Sequence, residues 1–189
     1  MEFIGNKNYW DEKYASRGDQ PLSPEKSLVE NAKYLKSGSV LDIACGDGRN
    51  TLFLLEKGFT VTGVDFCDQA LARLKMFADQ KNYIVDTKQV DLSLANSLED
   101  IGIFDNIIIN HYKLREEQLA NLKNHLSDGG ILFVCGFGSK HTVDAKVRKE
   151  DLIQTTDFDE VQKAFELIKY AEDQDDRGYF VTYIFRKLK

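Results

Sequence analysis

Residues 41–50 read LDIACGDGRN: an apolar run is interrupted by Asp42, and Gly46 and Gly48 follow with Asp47 between them. Glycines so spaced let a chain turn sharply and bring its backbone close to a ligand. A dinucleotide loop of the form GxGxxG needs a third glycine for close helix packing, and Thr51 stands in its place. The Asp47 charge would repel a pyrophosphate, and the missing GK[ST] excludes a P-loop. A ligand with a cationic centre and no phosphate suits the loop better. S-adenosylmethionine (SAM), which joins an adenosine to a sulfonium and an amino-acid end, is such a ligand.

Two more carboxylates fall at strand ends downstream. Asp42 either orients the loop or meets the ammonium group of the ligand. Asp65 lies 19 residues beyond Gly46 (65 minus 46), where a carboxylate can accept from both ribose hydroxyls. Asp91, in QVDLS, is expected to close a third strand and accept from an adenine amino group. Taken singly, each aspartate is better read as a solvated strand-end or capping residue. Three at one edge of a parallel sheet, beside a glycine loop, point to a nucleoside-type site, because ligands of open α/β sheets bind at the carboxyl ends of the strands.

The run VLDIACGDGRNTLFLLEKGFTVTGVDFCDQAL resembles the first two motifs of class I SAM-dependent methyltransferases, with Asp42, Ala44, Gly46 and Gly48 on the Asp-x-(Gly/Ala)-x-Gly-x-Gly pattern. VDL at 90–92 is similar to the adenine-contacting motif, FDNIII to the fourth strand and HLSDGGILFV to the approach to the fifth. YWDEKYASRG resembles the opening of small tellurite-resistance-type and thiopurine-type methyltransferases, where an aromatic segment lies over the cofactor. The resemblance implies a SAM site with S-adenosylhomocysteine (SAH) as product. It makes Trp10, Tyr14 and Arg17 candidates for capping that site, Arg17 toward the cofactor carboxylate; packing of Trp10 and Tyr14 on the sheet is the equal alternative. Cys45, Phe66, Leu92 and Asn110 complete the candidate cofactor set.

Methyl transfer from a sulfonium needs alignment first, and a general base only when the acceptor is a hydroxyl or amine. The segment after the fourth strand, NHYKLR at 110–115, borders the methyl group in the resembling enzymes. His111 is the candidate base and Tyr112 a stacking or hydrogen-bonding wall; a structural role for a lone histidine stays open. The segment lacks the [DN]PP[YF] pattern of enzymes that methylate nucleic-acid amino groups. The acidic stretch EDQDDRG at 172–178 could steer a cationic substrate, but an acidic turn of this kind reads first as solvated surface.

Positioning these residues requires alternating strands and helices. Apolar runs predict strands at 40–44, 60–65, 83–90, 104–109 and 131–136, with helices at 50–57, 69–79 and 114–126 and a turn at SDGG, 127–130. Helices are expected over 6–17 and 24–36 and around 159–167. Strands at 168–172 and 179–186, joined by DQDDRG, suggest a terminal antiparallel hairpin. The fold class is α/β: a Rossmann-like, doubly wound, seven-stranded and mostly parallel sheet in a single domain. Residues 1–37 form a helical cap over the cofactor site and 38–189 the core.

The chain has 189 residues, 42% of them hydrophobic and 30% charged, with a net charge of −6 and scattered basic residues. Nucleic acid is therefore not the expected partner, and no apolar run is long enough for a membrane span. A cytoplasmic protein, monomeric or weakly dimeric, acting on a small molecule is expected. Cys45, Cys67 and Cys135 read as free thiols, and neither cysteines nor histidines have metal-ligand spacing. A non-catalytic SAM-binding module and, less favoured, an NAD-binding oxidoreductase are the alternatives.

Overall fold

A computed structural model describes residues 7–144 and 147–189. Residues 1–6 of the expected cap, including the first residue of the helix expected at 6–17, lie outside them. Two short helices open the described chain, α1 (Lys7–Ala15) and α2 (Lys26–Asn31). There follow β1 (Ser39–Ile43), α3 (Arg49–Glu56), β2 (Thr60–Asp65), α4 (Asp68–Gln80), β3 (Asp86–Gln89), β4 (Phe104–Asn110), α5 (Glu116–Asn121) and β5 (Leu126–Phe137). The chain ends in β6 (Phe165–Asp175) and β7 (Gly178–Lys187).

The seven strands form one sheet in the order β3-β2-β1-β4-β5-β7-β6. β7 runs antiparallel to both its neighbours, and the pairings from β3 to β5 are parallel. Strand order reverses between β1 and β4, so the crevice at their carboxyl ends is the topological switch point where such sheets bind ligands. Pairing of Ile43 with Ile109 carries the residues that follow, Ala44 and Asn110, to that same edge.

Alternation along the strands divides the core between two faces. Ile107 and Ile109 of β4 pack with Leu41, Ile43, Leu132 and Val134 beneath α5, while Ile108 faces Val40, Phe133 and Ile184 beneath α2 and α3. α4 buries Ala70, Leu71, Leu74, Phe77 and Ala78, spaced as one helical face.

The later elements differ from the sequence expectation. No α-helix covers 159–167: single 3₁₀ turns at Thr155–Phe158 and Val161–Lys163 lead directly into β6. Phe158, Val161 and Phe165 have helix-like spacing and all are buried, but two tight turns achieve the burial. The helix expected at 114–126 is α5 followed by a 3₁₀ turn, Leu122–His125. The third strand shortens to Asp86–Gln89. Residues 127–130 form a bulge within β5, since Phe104 pairs with Leu126 while Asn106 pairs with Ile131. The hairpin turn is only Asp176 and Arg177, because Asp173 and Asp175 still pair across to β7.

Candidate active site at the carboxyl edge of the sheet

The glycine loop leaves β1 through Ala44 at φ 56°, and Gly46 and Gly48 also have positive φ, 56° and 88°. A Cβ on Gly46 would lie 2.5 Å from the Tyr14 hydroxyl, and one on Gly48 would lie 2.2 Å from Cδ1 of Leu74. Both glycines are therefore demanded by conformation and by space. Ala44 pays the left-handed strain that its small side chain keeps modest, at the edge where strain collects in functional sites.

Asp65 holds the loop in place. Its Oδ2 accepts from Gly46 N at 2.8 Å and its Oδ1 from Cys67 N at 3.0 Å, which leaves lone pairs on both oxygens for a ligand. Burial pushes its carboxyl up, opposed by the N–H groups of Cys67, Gly46 and Phe66. Asp42 lies deeper, and its Oδ2 accepts from the Thr51 hydroxyl at 2.6 Å. Thr51, the residue in place of a third glycine, thus ties α3 to β1.

Asp47 is compensated on both sides, by Arg17 at 2.8 Å and Arg73 at 3.4 Å, with its own side chain 4% exposed. The repulsion of pyrophosphate argued from its bare charge is therefore corrected: two guanidiniums neutralise it. Arg17, expected at the cofactor carboxylate, is engaged here with Asp47 and lies 4.5 Å from the Tyr14 ring centre. Tyr14 is buried, stacks on Trp10 at 5.8 Å and shares a cluster with Phe66 and Cys67. Burial and then the Asp65 charge push its hydroxyl well above the ordinary range. Tyr14 packs against Cys67 and Ala70 at the start of α4.

Asp91 lies two residues past the end of β3, exposed, and its Oδ1 accepts from both N and Oγ of Ser93. It belongs to a turn rather than a strand end, although Val90 N still bonds Asp65 O at 2.9 Å and keeps the segment beside β2. Leu92 is buried, and its carbonyl accepts from the Gln118 amide. Asn110, closing β4, is the most informative of the set. Its side chain is 9% exposed, and neither Nδ2 nor Oδ1 has a partner among the described residues. A buried amide with nothing to bond is costly, so a ligand that supplies the missing partners fits this position.

His111 and Tyr112 diverge. Tyr112 packs on the core face and lines a small cavity with Ile109, Leu114 and Leu119; burial and then the Asp91 charge push its hydroxyl up. His111, at φ 56°, turns the other way, onto the rings of Phe137 and Phe180. There Nε2 lies 2.9 Å from Oε1 of Glu25, a buried carboxylate that also meets Arg49 and Arg177. Sequence reading missed this group. Glu25 in SPEKS carries only a helix-start signal, and Arg177 sat within a stretch read as solvated surface. All three cysteines are free and buried, with Cys45 at the loop. Burial pushes their thiols up.

The family described as Tellurite resistance protein TehB matches residues 2–178. The chain belongs to the TehB family. The probable S-adenosyl-L-methionine-dependent methyltransferase TehB of Haemophilus influenzae (strain ATCC 51907 / DSM 11121 / KW20 / Rd) is 26% identical over 180 residues, covering 92% of this chain and 60% of that protein. This TehB-family chain thus spans about 60% of the length of the curated relatives it matches first. The crystal structure of TehB from Haemophilus influenzae is similar in fold with a TM-score of 0.70 at 23% identity, over 96% of this chain and 66% of that one. The N-methyltransferase NodS from Bradyrhizobium japonicum, solved with SAH, gives 0.66 at 17% identity over 97% of this chain and 100% of that one. The architecture is the Rossmann-like α/β fold of these methyltransferases.

Proposed function

We propose that this chain is a SAM-dependent methyltransferase that transfers a methyl group to a small-molecule acceptor by in-line displacement. The observation that carries the reading is the unpartnered Asn110 amide, buried beside a glycine loop and the Asp65 carboxylate at the switch point. A nucleoside with an amino-acid end suits that donor and acceptor set. Asp65 would accept from the ribose, the backbone at Gly46 and Gly48 would approach the amino-acid end with Asn110, and Trp10, Tyr14 and Phe66 would wall the site. SAM supplies a methyl group on a positively charged sulfur, so the protein's own task is largely alignment.

The family description and the relatives named as SAM-dependent methyltransferases support the same reading. They also make chalcogen oxyanions the first acceptors to try. Calorimetry with SAM and SAH is expected to show binding of both, lost in Asp65→Ala. Labelled SAM is expected to deliver methyl groups to at least one member of a panel of tellurite, selenite, thiols, phenols and amines. Absence of binding by both SAM and SAH at millimolar concentration would sink the proposal, and binding without any turnover would favour a SAM-binding module.

A further inference from the structure

Glu25 precedes α2 and belongs to none of the cofactor motifs, yet it is held from three other elements. Its side chain is 3% exposed; Oε1 lies 2.5 Å from Arg49 of α3, 2.9 Å from Arg177 in the β6–β7 turn and 2.9 Å from His111 Nε2, and Oε2 takes a second Arg177 bond at 3.1 Å. Burial alone would push this carboxyl up, but the hydrogen bonds from His111 and Arg177 and the Arg49 charge outweigh it and hold it down at about 2. Glu25 is therefore an anion at every working pH.

That anion dictates the state of the ring beside it. A ring nitrogen bearing a lone pair would be repelled by a carboxylate oxygen at 2.9 Å, so Nε2 carries a proton. In the neutral ring the other nitrogen, Nδ1, then has the lone pair, and it has no hydrogen-bond partner among the described residues. Phe137 at 5.7 Å and Phe180 at 5.3 Å restrict the ring from the sides, and His111 N donates to Cys135 O at 2.8 Å from a backbone in the left-handed region. The other titratable or charged groups around this ring and its partner are Arg49, Arg177 with its own partner Asp175, His141 packed on Phe137, and Cys135.

We infer that Glu25 is a positioning residue that fixes the His111 tautomer with Nδ1 unprotonated, making His111 the general base for an acceptor that carries a proton on its nucleophilic atom, a hydroxyl or an amine. The inference rests on the methyltransferase reading. As the acceptor atom forms its bond to the methyl carbon, its proton passes to Nδ1. The carbon–sulfur bond of the methyl sulfonium breaks with its electron pair left on sulfur, and the new imidazolium is compensated by Glu25.

Long-range proton–nitrogen spectra of histidine-labelled protein with SAH bound test the arrangement without turnover. The expected spectrum shows Nε2–H with unprotonated Nδ1 for His111, and Glu25→Gln, whose amide can donate to Nε2 as well as accept from it, loses that single-tautomer preference. A proton on Nδ1 of the neutral wild-type ring overturns the proposal whatever the acceptor. Failure of SAH to bind is a separate result, read by calorimetry, and counts against the methyltransferase reading instead. With a hydroxyl acceptor, His111→Asn, which tolerates the positive φ, is expected to lower kcat about a hundredfold and remove the acid limb of its pH profile. Glu25→Gln lowers kcat, Glu25→Asp recovers part of the loss, and the KM for SAM stays within about threefold. Losses that appear in the SAM KM alone, or a profile indifferent to both residues, show a merely structural role and overturn the proposal.

Discussion

Gly48 is the residue at which conformation and packing impose the same choice. Its φ of 88° already strains any side chain, and a Cβ would enter Leu74 at 2.2 Å, so that this fully buried side chain would have to repack. Gly48→Ala is therefore expected to destabilise the fold by about 2–4 kcal/mol and to weaken SAH binding with it. Urea denaturation and calorimetry on the same preparation read both effects. Loss of binding at unchanged stability would mean that the loop, rather than its contact with α4, absorbs the new methyl group. Gly46 and Gly48 were legible in the sequence because glycine requirements are local. Asp65 was legible as well, because a strand end fixes where its carboxylate lies. The partners of Asp47 were not: Arg17 and Arg73 come from 30 and 26 residues away, and no local pattern records such a pairing.

Among the elements, α1 packs on α4 and on the loops at the carboxyl edge of the sheet. The helix is polar in composition, and Tyr14, Trp10 and the Arg17–Asp47–Arg73 cluster join it to the glycine loop and α4. Arg17→Ala removes the ion pair to a buried carboxylate and the guanidinium over Tyr14, leaving Asp47 with Arg73 alone. The expected cost is about 1–2 kcal/mol, falling mainly on α1. Chymotryptic cleavage at exposed Leu22 is expected to quicken and SAH affinity to fall several-fold; unchanged rates would show that the aromatic packing suffices. Strong apolar runs such as FDNIIIN made β1, β2 and β4 readable, since a strand buried on both faces has little freedom to be anything else. The expectation of a helix at 159–167 failed because period alone cannot separate one helix from 3₁₀ turns entering an edge strand. Glu25 escaped notice for a related reason: its partners lie on α3, just after β4 and in the terminal hairpin, which meet only when the sheet forms.

The whole molecule carries a net charge of −6, and its crevice adds a local concentration of carboxylates in Asp42, Asp47 and Asp65. Asp47 is neutralised by arginines, but Asp42 faces no cation and has the hydroxyl and backbone N–H of Thr51, and burial pushes its carboxyl up to about 7 from an ordinary 3.8. Between those values the folded chain keeps the proton while the unfolded chain has lost it, so the unfolded state binds fewer protons and stability falls as pH rises. The contribution of Asp42 is thus full below about 4 and gone by about 7. Asp42→Asn keeps the shape and can still accept from Thr51, yet it does not ionise. It is expected to match the wild type at pH 4 and to exceed its stability at pH 8 by roughly 2–4 kcal/mol. Urea melts at the two pH values check this, and an equal difference at both would show that Asp42 does not titrate in the window. SAM supplies the sharper comparison. A cation in the crevice favours ionised carboxylates around it, whereas SAH carries no sulfonium charge. Saturating SAM is therefore expected to flatten the wild-type decline between pH 4 and 8 more than saturating SAH does, and the Asn variant should lose that distinction.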